Sequence, residues 1–316
     1  MTCTPEQEKA ICHIAGPAQI LAGPGSGKTF VTVHRIRHLI LEENIDPSHI
    51  LVITFTKAAA LEMQQRFFTL MEGQKPPVWF GTFHAIFYHI LKQSAQYRGY
   101  TIITETERRK LIRQIMHMHR RFCYLQEEDM EEILSVISSC KAGRKESSIP
   151  IQKMTPDDVM FLLHEYQSYL QEFQQFDFDD LMQCCLTLLR EDACCLAAWQ
   201  AQFRYILVDE FQDISPVQYK IVKLLAAPED NLFIVGDDDQ SIYGFRGASP
   251  DSMMQFLADY PQAVQIPLAV NYRCHAEIVE AAGRVITENI KRLPKDIQAV
   301  HSKGDGLELC MCPDEE

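Results

Sequence analysis

The chain has 316 residues, of which 47% are hydrophobic, and its formal net charge is -13. This length is enough for about two domains with a sizeable core. The acidic balance argues against a protein that binds nucleic acid through overall charge, although it is compatible with a local basic groove. No apolar run reaches the roughly 18 residues of a membrane span, and the polar residues 1–10 lack the apolar stretch of a signal peptide. These features predict a soluble, cytosolic protein.

The chain contains 11 cysteines, a number that could indicate a disulfide scaffold. Their spacing, however, does not provide the two Cys-x-x-Cys pairs of a zinc site. The closest pairs are Cys184–Cys185, Cys194–Cys195 and Cys310-x-Cys312. We therefore expect buried, reduced thiols rather than disulfides or a metal or iron–sulfur centre.

Short apolar runs followed by helical patterns predict buried strands. They are "AQILA" (18–22), "ILVITF" (50–55), "YILVDE" (205–210) and "NLFIVGD" (231–237), with "AVQIPLAV" (263–270) as a further candidate. Because these runs are continuously apolar and separated by helices, they indicate a parallel sheet covered on both faces. The predicted fold class is α/β.

The pattern changes between about 92 and 176. "ETERRKLIRQIMHMHRRF" and "TPDDVMFLLHEYQSYLQEF" predict amphipathic helices without strand runs between them, and a polar loop covers 140–150. This stretch is interpreted as an all-helical insertion within the α/β domain. A second α/β pattern begins after Val270.

"ILAGPGSGKTF" places a glycine-rich loop between a predicted strand and a predicted helix. In such a loop the backbone N–H groups and the positive end of the helix dipole face the β- and γ-phosphates of a nucleotide. Lys28 would add a point charge, and the Thr29 hydroxyl would bind Mg²⁺. The candidate nucleotide-binding residues are Ala22, Gly23, Pro24, Gly25, Ser26, Gly27, Lys28 and Thr29, with Ala22 standing where the pattern usually has its first glycine.

"YILVDEFQD" provides the acidic half that such a site requires. Asp209 follows a buried strand and would hold Mg²⁺ directly or through water. Glu210 would polarise the attacking water as a general base. Both halves together predict ATP hydrolysis with Mg²⁺ as the cofactor.

These stretches belong to a series that resembles the motifs of the UvrD/Rep/PcrA-type superfamily 1 DNA helicases. In chain order the series is "TPEQEKAI" (Q motif), "AGPGSGKT" (I), "TFTKAAALEM" (Ia), "GTFHAIFYHIL" (Ib), "FDFDDLM", "VDEFQD" (II), "VGDDDQSIYGFRGA" (III) and "NYRC" (IV). The resemblance implies an ATP-dependent helicase that moves along single-stranded DNA in the 3′ to 5′ direction. It implies single-stranded DNA and duplex–single-strand junctions as partners, no membrane, and a bacterial-type cytoplasmic, nucleoid-associated location.

The resemblance also assigns roles to single residues. Gln7 would bind the adenine edge and Tyr272 would stack on the base. Arg273 would act as an arginine finger, and Gln240 would contact the γ-phosphate or its attacking water. The implied DNA-binding residues are Phe55, Thr56, His84, Tyr243, Phe245 and Arg246, a mixture of aromatic and cationic groups that suits sequence-tolerant strand binding.

Three positions depart from the family pattern. Phe30 stands where arginine is common, and it either stacks on the base beside Tyr272 or packs inward. Phe245 replaces a tryptophan, which predicts weaker base stacking. Lys57 stands where asparagine is common, and a solvated lysine at a helix start and a phosphate contact both stay open.

The three consecutive aspartates Asp237, Asp238 and Asp239 suggest a metal site at first sight. Because consecutive residues of a strand point in different directions, we expect that they do not converge on one ion. The predicted role is to bond loop amides and position Gln240, while Asp209 holds the metal.

Motifs V and VI of the family are absent, so the chain is expected to hold only the start of a second lobe. The predicted organisation is a RecA-like lobe over 1–91 and 176–265, a helical insertion over 92–175 and an incomplete second lobe over 266–316. Two alternatives stay open. One is a nucleotide-gated DNA-binding or regulatory module without unwinding, and the other is the motor part of a helicase–nuclease.

Overall fold

The computed structural model describes residues 3–141, 153–241, 251–289, 292–304 and 306. The chain divides into two compact units. The first combines 1–83 with 196–316, and the second is formed by 84–195. The predicted helical insertion lies within the second unit.

Ten strands are found in the described ranges. They are β1 Ala18–Ala22, β2 Ile50–Thr54, β3 Trp79–Thr82, β4 Thr101–Ile102, β5 Gln175–Phe176, β6 Tyr205–Val208, β7 Leu232–Gly236, β8 Val264–Leu268, β9 Val270–His275 and β10 Gln298–His301. Six of them form a sheet in the order β3-β2-β6-β7-β1-β8, and every neighbouring pair in it is parallel. β9 pairs with β10 and β4 with β5, both in parallel.

The described part of the chain also contains twelve α-helices. They are α1 Pro5–Ile11, α2 Lys28–Leu41, α3 Lys57–Leu70, α4 Phe83–Gln93, α5 Glu105–Met118, α6 Met130–Lys141, α7 Pro156–Glu172, α8 Phe178–Glu191, α9 Ala193–Gln202, α10 Pro216–Ala226, α11 Ser252–Asp259 and α12 Ala276–Ile286. None of the helices described combines the length and apolar character needed to cross a membrane.

The six-stranded sheet confirms the predicted α/β class. The strands predicted from the four strongest runs are β1, β2, β6 and β7, and every residue in them is buried. Alternate side chains of these strands, on one face of the sheet, share a core with the inward faces of α2 and α3, including Ile36 and Phe67, which are fully buried. Because these strands are buried on both faces of the sheet, nearly all their residues are apolar.

Two strands of this sheet differ from the prediction. β3 was not predicted, because "WFGT" is a partly buried edge strand without an apolar run. β8 pairs with β1 over Val264–Leu268 and so belongs to the first sheet, which corrects its assignment to a second lobe. The predicted boundary at 265/266 falls inside this strand. β9 and β10 lie outside this sheet and pair with each other.

In the second unit, α5, α6 and α7 pack around a separate apolar core, which includes Ile112, Ile137 and Leu162. Its helices begin at the places that the sequence marks, since Thr104 and Thr155 each form a capping box with the residue three positions later. The unit is not entirely helical, because the two-residue strands β4 and β5 pair beside the helices.

The nine cysteines in the described ranges form no disulfide, but the expectation that the cysteines are buried is wrong for most of these nine. Cys185 is buried, whereas Cys3, Cys12, Cys123 and Cys194 are exposed. An exposed cysteine in a helix or loop contributes little to a core, so burial could not be inferred from the residue type alone.

Candidate functional site

The predicted nucleotide-binding residues follow the carboxyl ends of three neighbouring strands. The glycine-rich loop follows β1, Asp209 and Glu210 follow β6, and Asp237 follows β7. Since β6, β7 and β1 are adjacent and parallel, their ends lie at one edge of the sheet. Ligands of open α/β sheets bind at this edge.

Two glycines of the glycine-rich loop have the left-handed backbone conformation that favours glycine. Gly25 and Gly27 have φ of 65° and 87°, a region that residues with a Cβ rarely adopt. Ser26 closes the loop by donating its hydroxyl to the Gly23 carbonyl at 2.7 Å. Gly27 is the N-cap of α2 and has no side chain to bond the first-turn amides. Those amides therefore form an anion-binding helix start.

Gly25 allows a close approach of β9 to this loop. A Cβ on Gly25 would lie 2.7 Å from the Cβ of Arg273. We expect Gly25→Ala to weaken nucleotide binding by about tenfold or more. Alanine at this position would be strained by the positive φ, and its Cβ would press against β9. Titration with a fluorescent ATP analogue measures this. Gly283→Ala, on α12 with no atom within 4 Å of the added Cβ, is the matched control.

Lys28 and Glu210 are in direct contact across the sheet edge. The Lys28 ammonium donates to Glu210 Oε2 at 2.7 Å. The Gln212 amide donates to the same oxygen at 2.9 Å, and Gln212 Oε1 accepts from the backbone N–H of Asp237 at 3.0 Å. Glu210 itself has a left-handed backbone, with φ of 51°. Such strain in a residue other than glycine is typical of functional sites.

Asp209 has the properties of a metal-binding carboxylate. It is buried, and its Oδ1 has no hydrogen-bond partner among the residues described. Burial, with a further contribution from Glu210, raises the pKa of Asp209 to about 6, while Lys28 opposes the shift. A hard divalent cation would satisfy the unpartnered oxygen, so the residue fits Mg²⁺. Thr29, at the start of α2, is half-buried.

The carboxyl group of Asp213, the last residue of "VDEFQD", also ionises less readily than usual. Burial and then Glu210 raise its pKa to about 6, and its Oδ1 is unpartnered among the described residues. The stability that its protonated form contributes is present below about pH 4 and is lost as the pH rises through about 6, because the folded state binds the proton more tightly than the unfolded state.

We therefore expect Asp213→Asn to raise the melting temperature more at neutral pH than at about pH 4.5, where the parent carboxyl is largely protonated. Thermal unfolding without nucleotide at the two pH values measures the difference. Asp251→Asn, at an exposed position, is the control. An equal change in melting temperature at both pH values would contradict the prediction.

Gln7 lies against the phosphate loop rather than in open solvent. Its side-chain N–H donates to the Ser26 carbonyl at 3.2 Å, and its Oε1 accepts from the Thr4 backbone N–H. One donor hydrogen and one lone pair of the amide are left for a base edge. Phe30 is half-buried beside His34, with ring centroids 4.1 Å apart, and packs against the core. This position corresponds to the inward-packing alternative.

β9 is bonded directly to the phosphate loop. Asn271 is buried and donates to the Pro24 carbonyl at 2.7 Å, while its Oδ1 accepts from the backbone N–H groups of Arg273 and Cys274. The Tyr272 N–H donates to the Gly25 carbonyl at 3.0 Å. The half-buried Tyr272 and the exposed Arg273 are thus held beside the phosphate loop.

The expectation that the three aspartates do not converge is wrong. Their carboxylate oxygens lie within 4.8 Å of one another. The strand ends at Gly236, and the chain then turns through Asp238–Gln240, so the alternation of a strand does not apply. The carboxylates meet the Lys295 ammonium, and Arg292 pairs with Asp239.

The expectation for Gln240 agrees with the geometry of this turn. Asp237 Oδ2 accepts from the Gln240 side-chain amide at 2.6 Å, and Asp237 Oδ1 accepts from the Asp239 backbone N–H at 3.2 Å. The first aspartate therefore orients Gln240 through the turn.

Half of the predicted DNA-binding residues can be located. Phe55 and the exposed Thr56 follow β2, and Thr56 caps α3 by accepting from Ala59 N–H at 3.1 Å. His84 belongs to the second unit, where its ring packs edge-to-face on Phe178 at 4.9 Å. The other half, Tyr243, Phe245 and Arg246, lies outside the described residues.

His84 and Lys57, two candidate DNA contacts, differ in burial. Burial lowers the pKa of His84, which favours the neutral imidazole and thus ring stacking over an ion pair with phosphate. Lys57 is exposed at the start of α3. This exposure is compatible with both of its predicted roles.

Four residues of the site were not predicted from the sequence: Asn271, Gln212, Arg292 and Lys295. Asn271 and Gln212 lie within recognised motifs, and the motif matches were a usable signal for them. Arg292 and Lys295 are more than fifty positions from the aspartates that they contact. No local pattern connects residues at that separation.

A parallel sheet, a glycine-rich loop with its lysine after β1, and an acidic pair after β6, two strands away, define a P-loop nucleotide-binding lobe. The sequence model described as "UvrD/REP helicase N-terminal domain" matches residues 3–261. The chain belongs to the UvrD/Rep helicase family.

Named relatives extend this likeness over most of the chain. The putative ATP-dependent DNA helicase YjcD of Bacillus subtilis (strain 168) is 38% identical over 301 residues, which cover 93% of this chain and 39% of the relative. The ATP-dependent DNA helicase PcrA of Leuconostoc citreum is 38% identical over 310 residues, covering 96% and 41%. PcrA of Staphylococcus aureus (strain Mu50 / ATCC 700699) is 37% identical, covering 96% and 42%. The chain thus spans about two fifths of the length of these relatives.

Proposed function

We propose that this chain hydrolyses Mg-ATP and that the hydrolysis drives movement along single-stranded DNA. The observation that carries the proposal is the contact of the Lys28 ammonium with Glu210, beside the buried, unpartnered oxygen of Asp209. A lysine at a helix N-terminus that contacts a candidate general base, with a metal-binding type of carboxylate next to that base in the chain, suits phosphoryl transfer.

Each residue has a distinct task in this mechanism. Lys28 leaves Glu210 to bind the β- and γ-phosphates, and the freed carboxylate then accepts a proton from the attacking water. Gln240, oriented by Asp237, contacts that water or the γ-phosphate. Arg273 lies beside the loop and neutralises charge that develops in the transition state. Mg²⁺ held by Asp209 and Thr29 would supply further charge neutralisation.

The adenosine end would be held at the margin of the same loop. Gln7 offers one donor and one acceptor to the adenine edge, and Tyr272 offers a ring for stacking. The backbone bond between Tyr272 and Gly25 fixes that ring relative to the phosphates.

Single-stranded DNA is the proposed track. Phe55 and Thr56 follow a strand of the same sheet, and His84 offers a neutral ring, which suits stacking on bases without sequence preference. Tyr243, Phe245 and Arg246 follow Gln240 in sequence within a few residues, so a change at the γ-phosphate has a short covalent route to the proposed DNA contacts. Movement from 3′ to 5′ and the unwinding of junctions are proposed from family membership.

ATPase measurements on the chain with and without single-stranded DNA test the proposal. We expect Mg-dependent ATP binding, hydrolysis stimulated by single strands, and loss of both in Lys28→Ala. Lys9→Ala, on the exposed surface of α1, is the matched control. ATP binding without hydrolysis under any DNA condition would instead favour a nucleotide-gated DNA-binding module. Absence of ATP binding would overturn the proposal.

A further inference from the structure

The three aspartates after β7 form a dense, buried cluster of negative charge. Asp237 is fully buried, with 0% of its surface exposed, and Asp238 and Asp239 are half-buried. Carboxylates this close repel one another, and burial of a charge without a counter-ion is strongly unfavourable. The turn therefore depends on cations supplied from elsewhere.

Those cations come from the segment before β10. The Lys295 ammonium, whose side chain is 3% exposed, contacts Asp237, Asp238 Oδ1 at 2.6 Å and Asp239 Oδ2 at 2.8 Å. Arg292 binds Asp239 with two parallel hydrogen bonds, from Nε at 3.0 Å and from a terminal nitrogen at 2.8 Å. This fork geometry is the strongest form of an arginine–carboxylate pair.

The charges within the cluster stabilise one another. Burial alone would lower the pKa of Lys295, but its hydrogen bonds to the three aspartates outweigh burial and raise the pKa. Burial would raise the pKa of Asp239, and its bonds to Arg292 and Lys295 lower it instead. The Lys295 ammonium and the Asp239 carboxylate are accordingly charged at neutral pH.

A continuous hydrogen-bonded chain leads from Lys295 to the proposed reaction centre. Asp237 orients the Gln240 amide, and its backbone N–H bonds Gln212. Gln212 in turn donates to Glu210 Oε2, the oxygen that Lys28 contacts. Displacement of Asp237 would therefore disturb both Gln240 and Glu210.

The same segment is anchored on the phosphate loop. Ile297 packs on Gly23, where an added Cβ would lie 2.6 Å from the Ile297 Cδ1 atom. One residue further, Gln298 begins β10, which pairs with β9 and thus with the strand that holds Arg273. The segment that carries Lys295 is accordingly anchored both on the phosphate loop and on the arginine-bearing strand.

We propose that Lys295, assisted by Arg292, is a positioning residue for ATP hydrolysis. It holds the aspartate turn so that Gln240 and Glu210 face the γ-phosphate, and it ties that turn to the strand that carries Arg273. Lys295 does not touch the nucleotide. This inference rests on the proposed ATPase function.

Steady-state ATP hydrolysis with single-stranded DNA, together with direct titration of an ATP analogue, tests the proposal. We expect Lys295→Met to lower kcat by about tenfold or more while the Kd of the analogue changes only a few-fold, because the lost interaction orients catalytic groups and does not bind substrate. Lys295→Arg, which keeps the charge, should recover a large part of kcat. Lys303→Met, at a position after β10 where the lysine side chain is 75% exposed, should behave as the parent chain.

Each outcome separates the two proposals. A parent chain that hydrolyses ATP together with an unchanged kcat in Lys295→Met would overturn the positioning role alone. An equal loss of analogue affinity and kcat would also overturn it, since that result indicates a binding or folding role.

If Lys295→Met does not fold, Arg292→Gln provides the test instead, because the Arg292–Asp239 pair is nearer the surface. A parent-like kcat in Arg292→Gln would then count against the proposal. A parent chain without ATP hydrolysis would overturn the proposed function itself.

Discussion

Glu210→Gln is expected to lower ATP turnover by about 100- to 10,000-fold, the range that a positioned general base contributes. Glutamine has the same shape and can still accept from the Lys28 ammonium and the Gln212 amide through its Oε1. It cannot take a proton from water. Affinity for Mg-ATP should therefore change little, and the loss should appear in kcat. Single-turnover hydrolysis combined with analogue titration separates the two quantities.

Glu229→Gln is the matched control for this variant. Glu229 is exposed on the connection between α10 and β7, away from the carboxyl ends of the strands, and its replacement removes the same charge. Its turnover should equal that of the parent chain. If Glu210→Gln hydrolysed ATP at the parent rate, Glu210 would not be the general base. The mechanism would then need another group to accept the proton.

Arg273→Ala is expected to reduce turnover by about 1,000-fold or more, in line with the contribution of arginine fingers. The backbone of β9 would stay docked, because the bonds from Asn271 to Pro24 and from Tyr272 to Gly25 do not involve the Arg273 side chain. Ground-state binding should consequently be affected much less than kcat. Hydrolysis at saturating ATP, with binding measured separately, gives both values.

Two further variants sharpen this second prediction. Arg284→Ala removes an exposed arginine from α12 and should leave turnover unchanged. Arg273→Lys retains the charge but loses the planar fork, so it should recover only part of the activity. Full activity in Arg273→Lys would show that charge alone is sufficient. Full activity in Arg273→Ala would show that Arg273 does not take part in the reaction.

Much of the fold and of the nucleotide site can be predicted from local sequence. β1 is the clearest case, because a buried central strand is continuously apolar and is followed by glycines that only a tight loop requires. The same holds for β6 with Asp209 and Glu210. β3 could not be predicted in this way, since an edge strand is only half covered and its residues need not be apolar.

The segment around β8 shows why domain limits are harder to predict than strands. Its sequence is compatible with any sheet, and only pairing with β1 assigns it to the first one. The same limit applies to the aspartates. Their direction depends on where β7 ends and how the chain turns after Gly236, and this depends on tertiary contacts.

The resemblance to a helicase family supplied Tyr272 and Arg273 as candidates, whereas local sequence patterns alone determined the α/β class, the phosphate loop and the acidic pair. Such features depend on neighbours within a few residues, where periodicity and glycine conformation leave a visible mark. The tertiary structure decided how the three aspartates are neutralised, through Lys295 and Arg292, and how Asn271 docks β9 on the loop. These contacts join residues far apart in the chain, and the packing of the folded protein alone brings their charges together.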